Sequence, residues 1–165
     1  MYYEEIFREL NKKGVRYLVV GGMAVVLHGI VRLTADLDLM VDLKKENLLK
    51  LISAMEGLGY KPRLPVKAQD FAEAEKRKEW IEEKNMEVFS FFDPKMPLHL
   101  VDILVRCPID FDGAYNRRKT VEAGGIRIPV VSLGDLKELK GISGREQDLA
   151  DLESIDELEE LKDET

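Results

Sequence analysis

GGMAVVLHGIVRLTADLDLMVD, residues 21–42, joins a pair of glycines, a short apolar helix and a strand that carries two aspartates. Side chains at positions i and i+2 of a strand lie on the same face, so Asp36 and Asp38 are predicted to be neighbours. Asp is depleted in strands, and like charges held close together repel each other. The two carboxylates therefore need an explanation beyond that of an ordinary strand.

A third aspartate, Asp102, lies within the apolar run LVDILV. Such a run predicts a strand buried on both faces, where a bare carboxylate is costly unless cations or hydrogen bonds compensate for its burial. If this strand neighbours the strand of Asp36 and Asp38, three carboxylates converge at one edge of the sheet. A divalent cation would make that cluster favourable, and hard oxygen ligands without a His or Cys set favour Mg²⁺ or Mn²⁺ over zinc.

The pair Gly21-Gly22 lies between a predicted buried strand, VRYLVV (15–20), and the apolar helix. A helix that begins there has unpaired backbone N–H groups and the positive end of its dipole at the glycines. Glycine also lets a phosphate approach the backbone closely. We therefore expect Gly21 and Gly22 to hold the phosphates of a nucleoside triphosphate (NTP) beside the carboxylates and their metal, an arrangement suited to phosphoryl transfer.

The size and composition of the chain fit a single domain, residues 1–165. Hydrophobic residues make up 45% of its 165 residues, which is enough for a proper core. The net charge of −7 argues against binding of nucleic acid or anionic membrane by overall charge, and the single cysteine, Cys107, excludes an intrachain disulfide framework. Because no apolar run approaches about 20 residues and no h-region opens the chain, we expect no signal peptide, no membrane span and a cytoplasmic protein.

Strand and helix patterns alternate along the chain. Strands are predicted at 15–20, 36–42, 86–93 and 98–106, with a hairpin at 120–132 that turns at Gly124-Gly125. Helices are predicted at 2–13, 44–59, 71–85, 132–141 with Ser132 as N-cap, and 145–163 with Leu149, Leu152, Ile155, Leu158 and Leu161 facing inward. This order indicates an α/β (α+β) fold, one mixed β-sheet flanked by helices, with short C-terminal helices at 132–163.

The ordered set Gly21-Gly22, Asp36-Leu-Asp38 and Val101-Asp102-Ile103 resembles the nucleotidyltransferase superfamily, which shares the DNA polymerase beta-like palm fold. The resemblance covers a core of about residues 15–106. The fuller match, GGMAVVLHG followed by RLTADLDL, is similar to the branch that contains the AbiEii-type type IV toxins. In that branch an Arg-x-Thr, here Arg32-Leu-Thr34, precedes the aspartates. Later elements of the branch resemble Lys140, Arg145, Asp148 and Asp151.

The resemblance implies transfer of a nucleoside monophosphate from an NTP to an acceptor hydroxyl. It implies two metal ions held by Asp36, Asp38 and Asp102, with Asp102 also helping to activate the acceptor. The residues it implies for NTP binding are Gly21, Gly22, Arg32, Thr34, Lys140 and Arg145. The acceptor hydroxyl could belong to RNA, a protein or a small molecule, and the toxin branch adds an antitoxin-type partner. Two features depart from the family pattern: the serine that often follows the glycine is absent, and only a couple of helices follow the palm.

Each of these residues also has a structural interpretation that stays open. Asp36 and Asp38 could form the solvated face of a strand, and the glycines an ordinary turn. Arg32 could pair with an aspartate instead of phosphate, and Thr34 could serve as a turn hydroxyl. Lys140 and Arg145 could be surface charges. Asp148 and Asp151, on one helical face, could either fix Arg145 or another basic residue in place or form a solvated face.

Two short basic runs, Lys76-Arg77-Lys78 and Arg117-Arg118-Lys119, are interpreted as solvated surface, and His28 as a structural histidine. An alternative function is a nucleotide-binding or toxin–antitoxin interaction module with weak or no turnover. Three mutually repelling aspartates argue against that alternative, because a module without catalysis has no chemical need to keep them.

Overall fold

The computed structural model of the chain describes residues 3–163. The strands are β1 Tyr17–Val20, β2 Leu37–Val41, β3 Lys61–Pro62, β4 Val88–Asp93, β5 Met96–Leu104, β6 Lys119–Ala123 and β7 Ile126–Val130. The helices are α1 Glu4–Lys12, α2 Gly21–Leu27, α3 Lys45–Gly57, α4 Ala74–Lys84, α5 Phe111–Asn116, α6 Leu133–Ser143 and α7 Glu146–Asp163, and a 3₁₀ turn spans Ala68–Ala72. None of the helices in these residues is long and apolar enough to cross a membrane.

The strands form one mixed sheet in the order β3-β4-β5-β2-β1-β7-β6. At its centre β2 runs antiparallel to β1 and parallel to β5, while β7 runs parallel to β1. The hairpin of β6 and β7 turns at Gly124 and Gly125, as predicted, and extends the sheet beyond the residues 15–106 of the predicted core. The mixed α/β sheet expected from the sequence is confirmed.

Helices pack on the two faces of the sheet, but they cover these faces unequally. On one face, α1 lies against β1, where the Phe7 and Tyr17 rings stack, and the 3₁₀ turn and α4 pack on β4, where Phe71 and Trp80 stack on Phe89. On the other face, α2 lies against β1 and β2 and also contacts α6, which packs on α7. The site described below lies on this second face.

The burial of β5 differs from the prediction for LVDILV. Val101 and Ile103 are buried, whereas Asp102 and Leu104 are partly exposed, so the strand is buried on one face and not on both. The physical reason is the unequal cover just described, because the helices that bury Phe89 also bury the Val101 face of the sheet. Asp102 therefore faces an accessible surface.

The last helix, α7, also differs from its predicted packing. Ile155 is buried as expected, but Leu149 is 58% exposed and Leu161 is 62% exposed. The buried positions next to Ile155 are instead Asp148 and Asp151, so α7 turns a charged face inward. An apolar periodicity cannot reveal such a face, since the cations that compensate these carboxylates lie elsewhere in the chain.

Three smaller predictions are corrected as well. The helix predicted at 71–85 is interrupted at Glu73, whose backbone is extended, and the segment 60–67, predicted as a connection, contains the short strand β3. Arg77, predicted to be solvated, is buried and donates a hydrogen bond of 2.7 Å to the Phe71 carbonyl oxygen. By contrast His28 is a structural histidine as expected, with Nε2 2.7 Å from the Val131 carbonyl oxygen.

Candidate active site

Two of the predicted carboxylates lie opposite each other at the centre of the sheet. Asp38 on β2 is the register partner of Asp102 on the parallel strand β5. Asp36 precedes the first residue of β2 by one position. It is close enough for its charge to raise the pKa of both other carboxyls. In the observed side-chain conformations, no group of three or more His, Cys, Asp or Glu residues among positions 3–163 is arranged to hold a metal ion.

Asp38 has the most perturbed carboxyl of this group. Burial first, and then the negative charges of Asp102 and Asp36, raise its pKa to about 7, although Lys140 and Arg145 act in the opposite direction. No side chain of residues 3–163 donates a hydrogen bond to it. A half-buried carboxylate without donors and beside like charges is stabilised by a bound cation. Asp38 and Asp102 therefore fit the oxygen-ligand set of a hard divalent ion.

Asp102 is fixed by a residue that the sequence analysis missed. The Ser90 hydroxyl, on β4, donates a hydrogen bond of 2.6 Å to Asp102 Oδ1. Burial raises the pKa of Asp102 and the hydrogen bond from Ser90 lowers it, while the charge of Asp36 raises it again and that of Arg63 lowers it. The sequence offers no clear signal for Ser90, because its role depends on its register pairing with Asp102.

Gly21 and Gly22 are in close contact with the charged groups of the site. Gly21 has φ +67°, and a Cβ atom there would overlap the carboxyl group of Asp38. A Cβ atom on Gly22 would overlap the Arg32 guanidinium and lie 2.9 Å from Thr34 Oγ1. The glycines thus allow the start of α2 to touch both the acidic and the basic side of the site.

Three cations and two aspartates form a largely buried network opposite the carboxylates. Arg32 Nε lies 3.0 Å from Asp151 Oδ1, and Lys140 Nζ lies 2.9 Å from Asp151 Oδ2 and 3.0 Å from Asp148 Oδ1. Arg145 Nε lies 2.9 Å from Asp148 Oδ2, with most of the Arg145 side chain exposed. The network carries one positive charge in excess. Lys140 and Arg145 also act electrostatically on Asp38.

This network bears on several interpretations that the sequence left open. Lys140 is 4% exposed and is not a surface charge, and the pair Asp148 and Asp151 fixes basic residues. Arg32 pairs with Asp151 of α7 and also lies against Gly22. Its pairing with an aspartate is therefore compatible with its predicted binding of phosphate. Thr34 Oγ1 lies 3.4 Å from the Asp36 carbonyl oxygen, which fits a turn hydroxyl.

Asp148 shows how strongly the network is coupled. Its burial alone would raise the pKa, but hydrogen bonds from Ser143, Arg145 and Lys140 outweigh this and hold the pKa of Asp148 well below its usual range. A carboxyl with a depressed pKa stabilises the folded state above its ordinary pKa, and this stabilisation is lost as the pH falls. The network therefore contributes to folding at neutral pH.

We expect Lys140→Met to destabilise the protein by about 3–5 kcal/mol, because it leaves buried carboxylates without their central cation. Urea unfolding at neutral pH measures the effect. Lys137→Met is the matched control on the same helix, since Lys137 pairs with Asp156 and Glu159 at 2.9 Å in a more exposed position and should matter little. Equal losses in the two variants would contradict the role of the buried network.

Tyr3 is a second residue that the sequence analysis missed. Its ring is buried, and its hydroxyl donates a hydrogen bond to the Ala35 carbonyl oxygen and lies 3.4 Å from that of Leu100. Ala35 precedes Asp36, and Leu100 lies on the strand of Asp102. Tyr3 therefore ties together the two segments that present these aspartates.

The geometry combines a set of repelling carboxylates, a basic wall and a glycine turn between them. An NTP placed there would meet cations along its phosphates, and its metal would meet Asp38 and Asp102. The apposition of these groups is suited to phosphoryl or nucleotidyl transfer.

Solved structures with this fold include several nucleotidyltransferases. TM1012 of Thermotoga maritima, assigned as a nucleotidyltransferase, is 16% identical, with 99% of this chain and 92% of that chain covered and a TM-score of 0.57. ANT(2'')-Ia in complex with adenylyl-2''-tobramycin is 12% identical, with 93% of this chain and 85% of that chain covered and a TM-score of 0.61. The lincosamide antibiotic adenylyltransferase LnuA with lincomycin bound is 19% identical, with 93% of this chain and 95% of that chain covered and a TM-score of 0.57.

At these identities the likeness shows a shared fold, and no curated protein sequence matches the chain. The family assignment comes from a family model, that of the aminoglycoside-2''-adenylyltransferases, which matches residues 3–155. The predicted nucleotidyltransferase superfamily is thereby confirmed, whereas the AbiEii-type toxin branch is not. The chain is a nucleotidyltransferase and belongs to the aminoglycoside-2''-adenylyltransferase family.

Proposed function

We propose that the protein transfers a nucleoside monophosphate, adenylate in the first instance, from an NTP to a hydroxyl group of a small molecule. The observation that carries the proposal is the register pairing of Asp38 with Asp102, next to Gly21 and opposite the basic network. A small-molecule acceptor is favoured because tobramycin and lincomycin accompany two of the similar structures. The RNA, protein and antitoxin partners considered from the sequence find no support in these comparisons.

In this proposal each group has a chemical role. Asp36, Asp38 and Asp102 would hold Mg²⁺ or Mn²⁺, which when bound neutralises phosphate charge and lowers the pKa of the attacking hydroxyl. Gly21 and Gly22 give the phosphates access to the backbone, and the basic groups of Arg32, Lys140 and Arg145 balance the phosphate charge.

The reaction replaces a phosphoanhydride bond of the NTP by a phosphoester bond to the acceptor. The acceptor oxygen bonds to the α-phosphorus, the bond from that phosphorus to the oxygen bridging to the β-phosphate breaks, and pyrophosphate leaves. In the proposal Asp102, which accepts a hydrogen bond from Ser90, receives the hydroxyl proton. Because Lys140 and Arg145 are held by α7, this helix is part of the NTP site in the proposal.

Nucleotide binding tests the proposal directly. With Mg²⁺ or Mn²⁺ present, ATP at 100 times its Kd should stabilise the wild-type protein by about 2.7 kcal/mol in a thermal unfolding experiment. The double variant Asp36→Asn/Asp38→Asn should lose the metal-dependent part of this stabilisation. Lys137→Met should keep it, since Lys137 pairs with Asp156 and Glu159 and is not a member of the buried network around Lys140.

Two outcomes would contradict the proposal in different ways. If no NTP stabilises the wild-type protein with either metal, the glycines and aspartates are part of the scaffold alone. If NTPs bind but no pyrophosphate is released with any acceptor, the protein is the nucleotide-binding module considered as the alternative.

A further inference from the structure

One half of the sheet has an uncovered face next to Asp102. On β4, Phe89 and Phe91 are buried beneath the 3₁₀ turn and α4, while Val88, Ser90 and Phe92 on the opposite face are partly exposed. None of these three side chains belongs to the hydrophobic core or packs against it. The face that carries the catalytic carboxylates is therefore open over β4.

The same alternation continues on β5 and produces an apolar surface beside the carboxylates. Leu98 is 86% exposed, and Leu100 and Asp102 on the same face are partly exposed. The register places Phe92 opposite Leu100, and Ser90 opposite Asp102. We call Ser90, Phe92, Leu98, Leu100 and Asp102 the open platform.

Two cations lie along the β3 side of the open platform, and Asp93 follows Phe92 at the end of β4. Lys61 is the register partner of Phe92, and the Arg63 backbone N–H donates a hydrogen bond of 2.9 Å to the Ser90 carbonyl oxygen. Both of these cations are exposed. Within 88–92 of β4 and 98–104 of β5, Asp102 is the only acidic side chain on this face.

We propose that the open platform binds the acceptor, and that the acceptor is an amphipathic hydroxyl compound with at most one positive charge. This inference rests on the proposed nucleotidyl transfer and names its substrate class. An apolar body gains by covering Phe92, Leu98 and Leu100, and it brings a hydroxyl next to Asp102. A compound with many ammonium groups would bring several of them close to Lys61 and Arg63, with Asp102 as the one carboxylate within the platform to pair with them.

The expected acceptor differs in charge from an aminoglycoside, although the family is named for aminoglycosides. Tobramycin, with several amino groups, and lincomycin, with one basic amine and an alkyl-substituted ring, are suitable probes. We expect calorimetry, with Mg²⁺ and with or without ATP, to show at least about tenfold tighter binding of lincomycin. Equal affinities, no binding of either compound, or tighter binding of tobramycin would overturn the inference.

Substitutions on the platform locate the site independently. Leu98→Ser should weaken lincomycin binding by at least about fivefold while ATP still stabilises the variant. Arg63→Glu should strengthen tobramycin binding, because it replaces a repelling charge with an attracting one. Leu161→Ser, the same substitution at another exposed leucine near the end of α7, is the control and should alter the binding of neither compound. Lincomycin binding that is unchanged by Leu98→Ser would contradict the platform as the acceptor site.

The two proposals fail in distinguishable ways. Absence of ATP stabilisation in the wild-type protein would contradict the proposed function, and the acceptor comparison without ATP would still decide the platform's preference. Normal ATP binding together with transfer to tobramycin but not to lincomycin would keep the proposed function and overturn the acceptor class.

Discussion

Asp38→Asn is expected to abolish nucleotidyl transfer and, in the absence of metal, to make the protein more stable. Loss of a proposed metal ligand should lower kcat/KM by at least about 10³-fold, which corresponds to about 4 kcal/mol of transition-state stabilisation. The stability gain follows from burial and the charges of Asp102 and Asp36, which raise the pKa of Asp38 to about 7. A residue that costs stability and is required for activity is typical of a functional site.

The sign of the stability effect depends on pH. A carboxyl whose pKa is higher in the folded than in the unfolded protein keeps its proton after the unfolded chain has released it. Stability therefore falls as the pH rises from the ordinary pKa of Asp towards 7. The gain from Asp38→Asn should be larger at pH 8 than at pH 5 and reach up to about 4 kcal/mol. Urea unfolding in EDTA at the two pH values measures it.

Asp42→Asn is the matched control for this variant. Asp42 lies just after the same strand, but its carboxylate pairs with Arg16 at 2.6 Å. Asp42→Asn should lower the stability of the protein and leave its transfer activity unchanged. Asp38→Asn should do the opposite on both measures, raising stability and abolishing activity. Transfer activity that survives Asp38→Asn, or a loss of stability at pH 8, would contradict the role given to Asp38.

The elements that could be predicted from the sequence are those set by local patterns. The run VRYLVV, the helix at 44–59 and the turn at Gly124-Gly125 each contain their own signal in side-chain type and spacing. The Ser132 cap is equally local, since its hydroxyl accepts a hydrogen bond from the Asp135 backbone N–H at 3.1 Å. All four are present in the structure.

The features that could not be predicted depend on partners far away in the chain. Asp151 is buried because Arg32, more than a hundred positions earlier, and Lys140 compensate its charge. A helical pattern of apolar residues cannot reveal a buried charge that is compensated by distant cations. For this reason the apolar pattern assigns the inward position to Leu149, whereas the buried residue is Asp148. The exposure of the Asp102 face likewise depends on where the helices pack, which the pattern of β5 alone cannot determine.

The candidate site was predictable as a combination of residues, although its geometry was not. The glycines and aspartates indicate the site because each is unusual in its local context. The aspartates are charges in strands, and the glycines form a pair at the start of a helix. Ser90 does not, because a single serine in a strand is unremarkable until its register partner is known. The positions of Asp36, Asp38 and Asp102 as metal ligands stay a prediction.

Gly21→Ala is expected to remove NTP binding and to destabilise the protein. Gly21 adopts φ +67°, where an alanine is strained by about 1–2 kcal/mol. In addition, its Cβ atom would overlap the Asp38 carboxyl group and lie 3.0 Å from Asp38 Cβ, which the strand holds in place. We therefore expect at least about a 100-fold loss of NTP affinity, or about 2.7 kcal/mol, measured by calorimetry with Mg²⁺.

Gly29→Ala separates backbone strain from contact with the site. Gly29 has φ +99°, but a Cβ atom there would have no neighbour within 4 Å. An alanine at either position is therefore strained, and both variants should unfold at lower urea concentration than the wild-type protein. NTP affinity should fall in Gly21→Ala alone, because only this residue touches Asp38. If both variants lose affinity alike, the loss comes from destabilisation of α2 and its ends, and Gly21 has no specific role. If Gly21→Ala keeps full affinity, the phosphates do not bind where β1 meets α2.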